Sequence, residues 1–555
     1  MDLAARAEDL ERHLGDPGDG DAPFSWRRIL AADEAEEFPA GECRALDAWG
    51  YPAWLVPAAC GGELRGFDEL LVLGRLVARR DLTAAIATGQ SLLGALPVWI
   101  AGGVEQKARL ARSLLSGGAG CLALTEEAHG SDLAGGEVAA RPAPGGGFAL
   151  DGTKWCINNA TRGDYLSLLA RTDPAGGLHG FSVFFVEKGR VPRGLSPIPR
   201  LRTHGLRGAD ISGMAFERAE LPADALVGRE GRGLELILKV LQVSRTLCGA
   251  FSLGAGDTGL RLALDFILGR RLYGAGAFEI PVVRRALLDA FADLLAAECV
   301  ARAGARALSC IPGQMSVASA VVKVVVPELV SELLRECATL LGARHYLRDG
   351  PAAPFQKVLR DHALVGLFDG STSVNLYVIA GQLARMAEAR GESAQGPSAE
   401  LFDLGRPAPP FDWSALKTSS RGRDDLLNGV EPALARGGGP ELIALGKVLL
   451  AEREALDRAV LSRREERQDS PALFALARRH CWLAAAACCL QVALSTRAPF
   501  AGAGWAARAL GRLLARARAR DLPEPRDGDV EAALLDLHRE RRLFSLMPVR
   551  LGGAA

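Results

Sequence analysis

The chain has 555 residues, 49% of them apolar and 24% charged, with 66 basic side chains against 66 acidic ones. That length implies several structural units, and the even charge excludes an electrostatic case for nucleic acid or an anionic membrane surface as partner. The eleven cysteines form no CxxC pair and the eight histidines no HxxH or HxxxH pair, so a reduced, cytoplasmic protein without a metal site is expected.

The opening residues 1–9 are polar and acidic, unlike a signal peptide. Residues 1–120 have helical apolar spacing, as at Leu70, Leu71 and Leu73 and again at Leu110 and Leu114, and predict an N-terminal helical domain. From 121 to 226 the texture changes to short strands rich in aromatic and β-branched residues, notably 165–170 and 181–186, with Gly-rich turns at 145–147 and 151–152. Residues 227–390 return to long helical segments, 391–415 are rich in Pro, Gly and Ser and predict a linker, and 416–555 predict a helical extension. The longest apolar run, 482–494, is broken by Gln491 and falls short of the roughly 20 residues of a spanning helix, so no transmembrane segment is expected.

Four stretches carry chemistry. The turn LTEEAHGSD at 124–132 offers small residues and hydroxyls that let backbone N–H groups approach a phosphate or a flavin edge. The strand DGTKWCINN at 151–159 follows, with an amide donor at Asn158. RRLYG at 270–274 begins with an Arg, whose planar fork suits phosphate oxygens. RDHALVGLFDGS at 360–371 sets Asp369 after an apolar run and before Gly370, which permits close backbone approach. Gly254-x-Gly256-x-x-Gly259 fits a dinucleotide fingerprint, but it lies in a helical stretch with no preceding strand and reads as close helix packing. The thiol of Cys156 reads as a buried packing group more readily than as a redox centre.

In this order the stretches resemble the acyl-CoA dehydrogenase family over about residues 30–388, and HGLRGAD at 204–210 and GREGRG at 228–233 agree with it. The resemblance implies a mainly α fold: an N-terminal helical domain, a middle β-barrel or sandwich and a C-terminal four-helix bundle. The extension at 416–555 is similar in placement to that of very-long-chain acyl-CoA dehydrogenases, which implies a homodimer. It further implies FAD as cofactor, contacted by Thr125, Ser131, Cys156, Asn158, Arg270, Gly342, Ser371 and Ser373. Cys156 and Asn158 stand where the family has Trp and Thr, and LLGARHY at 340–346 is a thinned form of another FAD-contacting motif.

By the same resemblance Asp369 is the base. It removes the α proton of an acyl thioester, carried by CoA or a carrier protein, while the β hydride passes to flavin N5. Ser244, Arg245 and Gly370 are the implied substrate neighbours, and Ser244 falls where some members carry their base instead. An electron-transfer flavoprotein is the implied redox partner. Asp369 is one methylene shorter than the usual Glu and resembles the Asp base of nitroalkane oxidases. The alternative is therefore a flavin-dependent oxidase or a non-redox carbanion enzyme of the same superfamily.

Overall fold

The computed structural model describes residues 2–144, 146–390, 399–496, 504–518, 520, 522 and 527–552. Gly145, of the expected 145–147 turn, and 391–398, the start of the expected linker, lie outside them. The chain divides into two compact units, one of residues 23–65 and 83–244, the other of residues 1–22, 66–82 and 245–555.

In the first unit, helices Trp26–Glu34, Ala40–Trp49 and Val104–Leu115 accompany an eight-stranded sheet. Its strands run in the order Leu195–Ile198, Ile211–Leu221, Phe148–Asn158, Ala139–Pro142, Tyr165–Arg171, Phe181–Glu187 and Leu226–Val227, and Gly120–Ala123 pairs in parallel with Tyr165–Arg171. Alternating side chains such as Leu150, Leu166, Leu168, Phe184, Val186 and Phe216 form its buried core. Polar bonds fix a helix to the sheet: Tyr165 Oη donates to Ser91 O at 2.7 Å and Ser167 Oγ to Gly94 O at 2.6 Å. A Cβ on Gly94 would meet the Cys121 backbone at 2.5 Å, so this close approach requires glycine.

Strand Phe148–Asn158 departs from regular pairing with Ile211–Leu221 between Lys154 and Ile157. At that irregularity Cys156 has φ 57° and is exposed, so the packing role expected for its thiol is corrected. A bulge re-aims the side chain out of the alternation that would have buried it.

The second unit is helical. Phe67–Arg80, Pro281–Cys310, Met315–Leu341 and the 245–268 part of Gly233–Leu268 supply long, largely buried faces. Pro471–Ser495 and Gly504–Arg516, from the extension, pack on Pro281–Cys310. The glycines of the discarded fingerprint are indeed packing residues: a Cβ on Gly254 would lie 2.5 Å from Arg79 N, and one on Gly259 2.3 Å from a Leu334 methyl. Residues 399–415 are seated rather than loose, with Leu401, Phe402 and Phe411 buried and Arg306 donating to the carbonyls of Glu400, Asp403 and Arg406.

Among the described residues three helices, Leu82–Ala101, Gly233–Leu268 and Pro471–Ser495, are long and apolar enough to cross a membrane by length and composition, which differs from the expectation that no stretch reaches that length. Counting only an uninterrupted run missed them, because isolated polar groups such as Gln491 are satisfied inside the fold. Their most apolar windows are 72%, 78% and 72% buried within the protein.

Candidate active site

Asp369 lies in the turn between helices Ala353–His362 and Thr372–Ala380. Its backbone is left-handed, with φ 55°, and Gly370 follows at φ 100°. Such a turn holds only where neighbours determine it, and here they are visible. Arg245 Nε donates to Asp369 O at 2.8 Å. Buried Asn375 donates from Nδ2 to the carbonyls of Gly370 and Ser371, each at 2.9 Å. A Cβ on Gly370 would come 2.9 Å from an Arg245 guanidinium nitrogen, and the φ of 100° itself favours glycine here. Arg245, Asp369 and Gly370, predicted from distant motifs, therefore meet.

Two buried residues that the sequence did not flag join them. Cys248, one helical turn beyond Arg245, points its thiol at Asp369 Oδ2, 3.8 Å away. Lys323, 1% exposed, donates to Val365 O and stands 5.1 Å from the Phe368 ring centroid. Burial pulls the Lys323 ammonium below its ordinary pKa against the opposing influence of Cys248 and Asp369, and pulls Arg245 down against Asp369. Burial likewise pushes the Cys248 thiol up, which keeps it a neutral donor. Below this group His362 bridges Ser252 Oγ at 3.0 Å and Ser331 Oγ at 3.5 Å, and burial, then Lys323, lower its pKa to about 3. A periodicity search sees these residues only as helix positions; a Lys in the apolar run 321–326 was the one available signal.

Ser371 caps helix Thr372–Ala380 by accepting from Val374 N, and Ser373 is exposed on its first turn. Elsewhere in the same unit, two motifs separated by 70 residues converge. Arg270 and Arg344 place their guanidinium groups 5.1 and 4.8 Å from the Phe266 ring centroid. Around them stand Tyr273, fully exposed in the hairpin of Arg271–Leu272 and Ala275–Gly276, and Tyr346, 83% exposed in the 3₁₀ turn Gly342–Tyr346.

In the other unit, Ser244 is buried and donates to Leu241 O at 3.5 Å. The turn 124–132 is tied to the sheet by a buried pair. Lys154 Nζ donates to Glu126 Oε1 at 2.7 Å and to Leu124 O at 2.8 Å, while Glu126 also accepts from Glu137 N and Val138 N. Burial tends to raise the Glu126 carboxyl, but Lys154 and those two N–H groups hold it below its ordinary value. Thr125 O accepts from Trp155 N at 3.0 Å, so the turn and the bulged strand share a hydrogen bond. Thr125 is half-buried and Ser131 exposed. Asn158 is 9% exposed, and neither atom of its amide has a hydrogen-bond partner.

Residues 121–219 match the acyl-CoA dehydrogenase middle domain and 231–384 the acyl-CoA dehydrogenase C-terminal domain. A probable acyl-CoA dehydrogenase of Mycobacterium leprae, fadE25, is 27% identical over 354 residues, 64% of this chain and 90% of that protein. Among solved structures, an acyl-CoA dehydrogenase from Bacillus anthracis complexed with FAD superposes with a TM-score of 0.70 at 19% identity, over 97% of this chain and 90% of the other. The prolyl acyl carrier protein oxidase AnaB gives 0.62 at 21% identity, over 68% and 98%. The first of these structures extends the likeness of fold through the C-terminal helices. The chain thus carries the acyl-CoA dehydrogenase middle domain at 121–219 and the acyl-CoA dehydrogenase C-terminal domain at 231–384, and its likeness to acyl-CoA dehydrogenases runs over 64% of its length.

Proposed function

We propose that the protein is a FAD-dependent dehydrogenase of acyl thioesters, with Asp369 as the base that takes the α proton. The observation that carries this is the held carboxylate: left-handed backbone, carbonyl fixed by Arg245 and Oδ2 facing Cys248, an arrangement that fixes one rotamer for proton transfer. FAD fits the residues present. The unpartnered buried amide of Asn158 is a donor and acceptor in want of a polar ligand, and Arg270 with Arg344 offers paired forks for a pyrophosphate. When bound, the flavin supplies the acceptor for the β hydride.

The protein's own groups do the rest. Thr125, Ser131, Cys156 and Asn158 orient the ring system, and the Lys154–Glu126 pair keeps their turn and strand in register. The Asp369 backbone N–H polarises the thioester carbonyl and Asp369 Oδ receives the α proton. Exposure of Tyr273 and Tyr346 beside the Arg pair supports a homodimer in which these groups serve the partner's cofactor. CoA and carrier-protein thioesters are both candidate substrates, an electron-transfer flavoprotein a candidate acceptor, and the cytoplasm the proposed location.

Anaerobic addition of an acyl-CoA series, and of the same acyl groups on a carrier protein, should bleach the flavin absorbance. Asp369→Asn should slow bleaching by at least about a hundredfold while keeping its flavin content; equally fast bleaching would remove Asp369 as the base. One observation favours a second reading. Exposed Cys156 replaces a large ring neighbour, which leaves the flavin more open to oxygen and suits an oxidase. Oxygen uptake equal to thioester turnover, with no reduction of electron-transfer flavoprotein, would establish that reading.

A further inference from the structure

In helix Met315–Leu341 the run of Val321, Val322, Val324, Val325 and Val326 is buried, with no member more than 1% exposed. Lys323 stands in the middle of that run and is itself 1% exposed. Burying an ammonium destabilises a fold unless neighbours answer both its charge and its N–H groups. Another aliphatic side chain would fill the space without that penalty.

What answers the ammonium here is the turn that carries the base. Lys323 Nζ donates to the carbonyl of Val365, ahead of Asp369, and lies 5.1 Å from the ring centroid of Phe368, the residue immediately before the acid. Phe368 is seated edge-on against Phe251, with ring centroids 6.2 Å apart at 65°. Arg245 and Asn375 hold the turn at the acid and after it, through the carbonyls of Asp369, Gly370 and Ser371. Lys323 holds it before the acid.

The titratable groups that face the ammonium are Cys248 and Arg245 from Gly233–Leu268, His362 from Ala353–His362, and Asp369 from the turn. Burial keeps the His362 ring and the Cys248 thiol neutral, and Arg245 is a like charge. The anion among them is the Asp369 carboxylate, so two buried cations serve one acid. On the reading that Asp369 is the base, we propose that Lys323 is its positioning residue. The ammonium fixes the turn through the Val365 carbonyl and the Phe368 ring, and its charge favours the ionised carboxylate that proton abstraction requires.

The test is anaerobic stopped-flow reduction of the flavin by the most reactive thioester of the acyl series above, between about pH 5 and 9. The holoenzyme is compared with its Asp369→Asn, Lys323→Gln, Lys323→Arg and Phe368→Leu variants. Lys323→Gln keeps a donor for the Val365 carbonyl and loses the charge. Its acid limb should move up by about one pH unit or more, so that reduction is about tenfold slower below the limb and approaches the parent rate above it. Lys323→Arg, which keeps the charge, should return the limb to the parent position. Burial, the larger cause at His362 and Cys248, persists in these variants, so neither group enters the range. Phe368→Leu removes the ring and keeps the charge, and should slow reduction about fivefold with the limb unmoved. With Asp369→Asn slow, a limb that stays in place in Lys323→Gln overturns the proposal and leaves the base reading standing. Parent-rate reduction in Asp369→Asn, or a parent inert to the whole series, ends both. Where Lys323→Gln does not retain flavin, Phe368→Leu decides, and a parent rate there overturns the proposal.

Discussion

A carboxylate that must leave solvent to meet a carbon acid needs its rotamer fixed by neighbours that do not compete for its proton. Cys248 meets that requirement at Asp369: burial keeps the thiol protonated, so it can donate and cannot act as the base itself. Cys248→Ala should lower kcat for flavin reduction about tenfold, with flavin content and KM nearly unchanged, as expected for one weak donor to a charged group. Stopped-flow bleaching separates the two constants, and an unchanged kcat would leave the contact without a role. His362 sets a second expectation. Its pKa falls from 6.5 to about 3 in the fold, so its neutral form stabilises the native state fully above about pH 6.5. As pH drops below that value the unfolded chain takes a proton that the native one refuses, and stability declines by up to about 1.4 kcal/mol per pH unit. His480, buried and also lowered, acts in the same direction. The thermal midpoint of His362→Gln should therefore depend less steeply on pH between about 5 and 7 than that of the parent, without losing its slope.

At the scale of the element, the strand Phe148–Asn158 carries a local irregularity that decides what faces outward. Lys154 holds the preceding turn through Glu126, and the bulge after it exposes Cys156 while leaving the Asn158 amide unpaired. Lys154→Met would strand the Glu126 carboxylate in a buried setting and should cost roughly 3 kcal/mol, with loss of bound flavin. Lys154→Met combined with Glu126→Leu should recover part of that stability in urea unfolding, because no lone charge is then buried; no recovery would mean the pair is not coupled. This strand was placed by the resemblance of 151–159 to a family motif, while Tyr165–Arg171 and Phe181–Glu187 were legible from their aromatic and branched residues to within a residue. The bulge was not. Period-2 reading assigns each residue a face by counting, and one extra residue reverses every face beyond it, whereas Cys156 was expected inside on the ordinary burial of free thiols. For the same reason the motif around Asp369 could be read, while Cys248, Lys323 and Asn375 could not: their meaning comes from which helices pack together.

At the scale of the molecule, the second unit gathers residues from both ends of the sequence around buried charges. Glu298, 1% exposed, pairs with Arg75 at 3.1 Å and accepts from Ser545 Oγ at 2.6 Å and from Leu546 N at 3.0 Å. Phe544 N donates to Asp257, which also holds Arg79, and Gly552 N donates to Glu11, which holds Arg80. Segments 247 residues apart or more thus share carboxylates, and each carboxylate serves a guanidinium and a backbone N–H together. No spacing rule could have matched them, since the sequence shows only isolated acids on apolar helices. An amide at position 298 keeps the shape but leaves Arg75 uncompensated in the interior and weakens two acceptor contacts. Glu298→Gln should therefore lower unfolding stability by about 3 kcal/mol, with Ser545→Ala costing about 1 kcal/mol. The double variant should cost less than the sum, because the serine hydroxyl matters mainly to the carboxylate it faces. Guanidinium unfolding of the three proteins measures the coupling. Strict additivity would mean that residues 542–552 are bound by apolar burial alone and that the charges are incidental.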